Sequence, residues 1–228
     1  MQEFPAATHR TIHLKNSHKP LASLRRDFYR RPTQEVARDL VGLELVRRIS
    51  IEGRSLTLAG TIIETEAYGS EDDEASHAFR GITKRNSVMF GPVGFSYVYF
   101  TYGNHHCVNV TARDDSASAG AVLIRSIRPN LGIDIMQSFR RRQDLQELAS
   151  GPGRLTQAMG ISRNLNGIDL TSHLSELFIC ESPSGPTPRV ESCTRVGISR
   201  ACDKPWRFID ASSLPFISRK PAPGPTQV

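Results

Sequence analysis

The sequence predicts a mixed α/β (α+β) fold: a single domain with a curved, mostly antiparallel β-sheet, a protruding β-hairpin and surrounding helices. Three observations predict it. From Leu43 to Gly103 apolar residues recur with period two, the spacing of strands whose side chains alternate between faces. Residues 95–101 and 107–112 flank a turn candidate at Tyr102-Gly103-Asn104-His105, which reads as a hairpin. No internal repeat and no shift of composition divides the 228 residues, a length that one mixed domain can fill. With 38% hydrophobic and 23% charged residues, the chain can build a packed core, which excludes wholesale disorder.

The elements follow in order. Residues 1–22 carry basic residues without a sustained apolar period and read as a loose arm. Thr33 is placed to cap a short helix, with Gly42 beyond its end; Val36, Ala37, Leu40 and Val41 fall on one face of it. Residues 43–46 and 55–63 read as strands, and 72–86 as a long polar connection. Residues 120–127 give another strand. A helix is expected over 131–148, with Ile135, Met136 and Phe139 on its inner side, and a shorter one from Pro152 to Met159, stopped by Gly160. The region 177–217 returns to short strands and turns, and 218–228 reads as a flexible tail. The domain boundaries are therefore set at 1–22, 23–217 and 218–228.

Several function classes drop out on composition. No apolar run approaches the roughly 20 residues that a bilayer span requires, and the polar start, broken by Pro5, does not read as a signal peptide. Cys107, Cys180, Cys193 and Cys202 form no CxxC pair and no metal-ligand pattern, so neither a disulfide scaffold nor a metal is expected. The net charge of +6 suits an anionic partner such as a phosphate backbone. The basic residues include the runs Arg25-Arg26, Arg30-Arg31, Arg47-Arg48 and Arg140-Arg141-Arg142.

Three segments carry candidate chemistry. In Glu64-Thr65-Glu66-Ala67-Tyr68 the strand period places two carboxylates and a phenol on one face. Two such acids can titrate differently and take different roles; a solvated face, or acids bonded to arginines, is the structural alternative. Around the hairpin, Tyr97, Tyr99 and Tyr102 crowd near Asn109. Core packing would account for most of these rings, but a ring at a turn is exposed, and an exposed ring can wedge between base pairs. Ser150-Gly151-Pro152-Gly153-Arg154 leads into a helix start, either as plain punctuation or as a phosphate site. His105-His106 lacks a third convergent metal ligand.

Taken together these segments resemble the alkyladenine (3-methyladenine) DNA glycosylase family. The likeness runs in order from about residue 24 to 210. It spans Gly60 to Tyr68, Asp73 to His77, Lys84-Arg85-Asn86, Met89-Phe90 and Tyr97-Val98-Tyr99. It continues through Tyr102-Gly103, Asn109, Leu123-Ile124-Arg125, Gly151 to Leu155 and Arg195-Val196-Gly197. The resemblance implies that Glu66 is the general base for the attacking water and that Arg125 positions it. It implies that Tyr68, His77 and Tyr99 wall a pocket for an everted base, with Asn109 screening exocyclic amino groups at its edge. Tyr102 is the implied wedge, and Arg85, Gly153, Arg154 and Arg195 the implied contacts to the DNA backbone. Glu64 receives no catalytic role and is expected to support the site.

The physics agrees with these roles. A glycosidic bond inside stacked DNA is out of reach, so the nucleotide must be extruded, at a cost of a few kcal/mol. Purines alkylated at N3 or N7 are cationic and are attracted to tyrosine faces by about 0.5–2 kcal/mol. A cationic base also leaves readily, so one carboxylate with one water suffices. Lys84 is the one lysine in the matched segments and none lies where a Schiff base would be needed, so a Schiff-base lyase step is not expected. The expected enzyme is thus a monomeric, monofunctional, cofactor-free glycosylase acting on duplex DNA with a damaged purine, away from membranes. Its compartment would be the nucleoid in a prokaryote and the nucleus in a eukaryote. The alternatives are a damaged-DNA-binding protein without turnover and a carbohydrate hydrolase using Glu64 and Glu66; for the latter, two acids side by side on a strand flank a scissile bond poorly. Two departures stand out. Asn104-His105-His106 follows the wedge position where apolar or aromatic residues are expected, and arginine stands at 154 where lysine is common.

Overall fold

The structure is a computed structural model that describes residues 22–101, 104–182 and 186–221. The arm expected at 1–22 and the wedge Tyr102 lie outside the described residues, apart from Ala22. Among the described residues eight antiparallel strands form one curled sheet, joined by six short helices, which is the mixed α+β architecture that the sequence predicts.

The chain enters through α1 (Arg26–Tyr29) and α2 (Thr33–Asp39). Thr33 does not cap α2; it is the first helical residue and its hydroxyl donates to the Ala112 carbonyl at 2.9 Å, tying the helix to the sheet. The strands β1 (Glu44–Ile51) and β2 (Arg54–Tyr68) form a hairpin closed by Glu52-Gly53, both at positive φ. A four-residue helix, α3 (Ser87–Phe90), follows the connection 69–86. The strands β3 (Ser96–Thr101) and β4 (His105–Thr111) form the expected edge hairpin, and β5 (Ala121–Leu131) runs four residues past its expected end.

The helix expected over 131–148 is two helices, α4 (Ile133–Arg140) and α5 (Leu145–Leu148). Arg141 adopts a left-handed conformation, φ 51°, which stops α4. Asp144 then caps α5 by accepting from the Gln146 amide at 2.8 Å. Helix α6 (Pro152–Ala158) starts on Pro152, as read, and Gly160 follows it at φ 60°. Three short strands complete the sheet: β6 (Leu177–Cys180), β7 (Val190–Cys193) and β8 (Arg207–Asp210).

The strand order is β3-β4-β5-β2-β1-β6, and the second half of β2 also pairs with β8, which pairs with β7. Strand β2 is therefore the spine: its residues 58–67 are buried or nearly so. One face of the sheet carries Val98, Val108, Val110, Val122 and Ile124, which join Val36, Ala37 and Leu40 of α2 and Leu155, Ala158 and Met159 of α6 in the main apolar core. Burying each valine, leucine, isoleucine or methionine among them contributes about 1.5–3 kcal/mol.

The other face is different because β2 is irregular. The register to β5 shifts between Ile62 and Glu64. Ile62 belongs to the main core, whereas Ile63 packs on the far side with Ile209 and Ile217. A bulge re-aims the residues beyond it, so Glu64, Glu66 and Tyr68 leave the core face that strict alternation from Ile62 would have given them.

Candidate active site

Pairing registers bring the site together. Across five strands one row of directly opposed residues runs Arg207, Glu66, Leu123, Asn109, Tyr97. Residues directly opposite in an antiparallel pair point to the same face. Two positions along, β3 and β4 oppose Tyr99 and Cys107, and Arg125 follows Leu123 on β5. A single sheet surface therefore holds the carboxylate, the arginine, the amide and two tyrosines that the sequence singles out.

A cavity of about 310 Å³ opens above this row, lined among others by Tyr68, His77, Tyr97, Tyr99, Asn109, Leu123, Arg125 and the loop Val196-Gly197-Ile198. That volume is within the range of small-ligand pockets. Its walls are ordered by their own contacts. The His77 ring meets the Tyr99 ring edge-on at 4.7 Å between centroids, and its Nδ1 lies 2.9 Å from the Tyr97 hydroxyl. Burial, and then the nearby Arg85, hold the His77 imidazole below its ordinary pKa of 6.5, so this wall is neutral at pH 7. Burial pushes the Tyr97 phenol up to about 12 and raises Tyr99 as well, so both stay neutral rings. Asn109 is buried, and its Nδ2 donates to the Tyr97 carbonyl at 2.9 Å, which fixes which way its amide faces.

Glu66 lies directly behind this wall and is fully buried. Its Oε2 accepts from the Tyr68 hydroxyl at 2.8 Å and from Arg125 Nη1 at 2.9 Å; its Oε1 accepts from the Val196 amide at 2.7 Å. All three donors belong to residues that line the cavity. A carboxylate offers about four acceptor positions, so Oε1 retains one. Burial, reinforced by the Glu66 charge, raises the Tyr68 phenol well above its ordinary value, so the phenol stays a donor.

Glu64 is the structural partner that the sequence suggests. It is fully buried and accepts from Arg125 Nε at 3.0 Å, Arg207 Nε at 2.8 Å, the Ser126 hydroxyl at 2.7 Å and the Ser218 amide at 2.6 Å. Burial alone would raise its carboxyl, but Arg125 and Arg207 overcome that and hold it below its ordinary value. Arg125 and Arg207 against Glu64 and Glu66 make a buried cluster of two cations and two anions.

The expected backbone contacts divide. Arg154 is exposed and donates to the Ser150 hydroxyl at 3.0 Å, and Arg85 is exposed with its guanidinium 5.3 Å from the Tyr99 ring centroid at the rim of the cavity. Gly153 is needed by packing: a Cβ there would lie 2.6 Å from the His105 ring. That contact accounts for His105 beside the hairpin turn, because it seats α6 on β4.

Arg195 does not fit the role expected for it. Its side chain is wholly buried, bidentate on Asp73 at 2.7 Å through both Nη atoms, and stacked 4.8 Å from the Tyr68 ring and 5.2 Å from the Trp206 ring. It fixes the loop whose next residue, Val196, binds Glu66. We therefore expect Arg195→Met to leave the salt slope of duplex binding unchanged. Arg154→Ala should reduce that slope by about one. Titrations of affinity against salt compare the two.

Arg207, Ser218 and Asp73 were not singled out as site residues. Arg207 had a readable signal: in Trp206-Arg207-Phe208-Ile209 the strand period puts the arginine on the face of an isoleucine, which marks a buried, paired cation. No group of three or more metal-ligating side chains occurs among the described residues, and no described helix is long and apolar enough to cross a membrane.

Comparison with known proteins agrees with the geometry. Residues 27–214 match the family described as "Methylpurine-DNA glycosylase (MPG)". A protein of Methanocella arvoryzae is 46% identical over 205 residues, covering 88% of this chain and 98% of its own. One of Koribacter versatilis is 43% identical over 209 residues, with 90% and 98% covered. One of Carboxydothermus hydrogenoformans is 46% identical over 197 residues, with 86% and 99% covered. Each bears the name "Putative 3-methyladenine DNA glycosylase". A match over most of the chain, at this identity and on this site, means that the protein belongs to the methylpurine-DNA glycosylase family.

Proposed function

We propose that the protein is a monofunctional glycosylase of base excision repair. It flips an alkylated or deaminated purine out of duplex DNA and hydrolyses its N-glycosidic bond. The substrate class is 3-methyladenine, 7-methylguanine, hypoxanthine and ethenoadenine. The observation that carries this reading is Glu66: a buried carboxylate with a spare acceptor position, held by Tyr68, Arg125 and Val196 immediately behind a ring-walled cavity.

In this reading the everted purine stacks between Tyr68, His77 and Tyr99. A water bound to Glu66 Oε1 gives a proton to that carboxylate as its oxygen bonds to C1′, and the C1′–N bond breaks with its electron pair leaving on the base. Arg125 keeps the carboxylate oriented. Asn109 turns its amide toward the base and disfavours exocyclic amino groups, and Tyr102 fills the vacated stack. Arg85, Gly153 and Arg154 meet the phosphate backbone, and Arg195 contributes from inside by holding the Val196 loop. The neutral His77 admits a cationic base without repulsion. The protein acts as a monomer. The relatives come from prokaryotes, which favours the cytoplasm and nucleoid as its place of action.

The test is a duplex with one hypoxanthine or ethenoadenine, incubated with excess protein and assayed for free base and for borohydride-trapped adduct. We expect release of the base and no trapped adduct. Tight binding without release would support a damage-binding protein instead, and a trapped adduct would contradict the monofunctional assignment.

A further inference from the structure

The residues that sequence patterning assigns to a tail begin inside the carboxylate cluster. After a 3-10 turn at Leu214–Phe216 the chain buries Ile217 against Ile63 and Ile209. Ser218 then meets two charged groups through four hydrogen bonds. Its amide donates to Glu64 Oε2 at 2.6 Å and its hydroxyl donates to Glu64 Oε1 at 2.7 Å. The same hydroxyl accepts from Arg125 Nε at 3.2 Å and from Arg125 Nη2 at 3.0 Å. One residue on, the Arg219 carbonyl accepts from Arg207 Nη2.

A serine hydroxyl has one proton and two lone pairs, and here all three are used. Among the described residues, Ser218 is the hydrogen-bond partner of Arg125 Nη2, while Nη1 grips Glu66 and Nε grips Glu64. A planar guanidinium held at three nitrogens has one orientation; held at two, it can rock about the remaining bonds. The atom that would then move is Nη1, which faces the carboxylate proposed to prime the water.

We propose that Ser218 is a positioning residue for the reaction, holding the Arg125 guanidinium in the orientation in which it meets Glu66. This rests on the glycosylase reading above. The segment 217–219 is then part of the active site, although none of its residues lines the cavity. Small misplacements of a catalytic constellation cost large factors in rate, while substrate binding, which uses other surfaces, is spared.

The experiment combines single-turnover excision with nitrogen-15 spectra of arginine side chains. Ser218→Ala removes the acceptor and, at nearly constant volume, Ser218→Cys replaces it with a weakly accepting sulfur; Ser218→Thr keeps it. We expect excision slowed about tenfold or more in the first two, with affinity for the damaged duplex within about twofold of wild type. Ser218→Thr should recover most of the rate. The Arg125 Nε–H signal should exchange faster in the slowed variants. An unchanged rate, or an unchanged Arg125 signal, overturns the proposal. A wild-type protein that releases no base would refute the glycosylase reading instead, and the arginine spectra would still report on the contact.

Discussion

Glu66→Gln will bind a duplex containing hypoxanthine about as well as the wild-type protein and excise the base about 10²–10⁴ times more slowly, the range attributed to a positioned general base. The substitution keeps size and shape, and the three residues that bond Glu66 and line the cavity stay in place. The rings, the amide of Asn109 and the exposed arginines are all left in place. What disappears is the basicity that takes the proton from water. The amide group also presents N–H where a carboxylate oxygen accepted, so either Arg125 or the Val196 amide loses its partner. Some stability goes with it, because two buried guanidiniums then face one carboxylate. For that reason the affinity measurement is part of the test: retained binding with lost release separates chemistry from folding. Wild-type excision by the Gln variant would remove Glu66 from its role.

Most of this site was legible where the physics is local. Strand periodicity acts over a few residues, so Glu64, Glu66 and Tyr68 on one face could be read directly, as could the hairpin that carries Tyr97, Tyr99 and Asn109. Features decided by distant partners were not legible. Arg195 stands as a phosphate contact through the resemblance alone, and its pairing with Asp73 spans 122 residues. Ser218 lies 154 residues from Glu64 in a segment whose composition signals a tail. The bulge at Ile62–Glu64, which turns the acids away from the apolar core, is fixed by the register with β5 and leaves no mark in the spacing. The single helix expected over 131–148 failed for another reason: apolar spacing continued across a break made by one left-handed residue, Arg141.

The second large effect falls on folding. Glu64→Ala will destabilise the protein by about 3–5 kcal/mol at pH 7, the cost of removing one partner from a buried ion pair. The cluster is balanced with Glu64 present; without it two cations, each nearly inaccessible to water, share Glu66 alone. Whole-cluster replacement by apolar residues could be neutral, but a single deletion leaves one charge uncompensated and also strips Ser126 and Ser218 of their acceptor.

The pH dependence gives this prediction its sign. The Glu64 carboxyl titrates below its ordinary value of 4.5 in the folded protein, with Arg125 and Arg207 overcoming the opposing effect of burial. Protons therefore bind more readily to the unfolded chain, and the stabilisation is fully present above 4.5. It is lost as pH falls from 4.5 through the lower, folded value. Urea titrations of both proteins from pH 7 downward should show a wide gap at neutrality that narrows steadily below 4.5. Equal midpoints at pH 7 would mean that the two arginines find other partners at no cost, and the charge balance of the cluster would then have no part in holding the active site together.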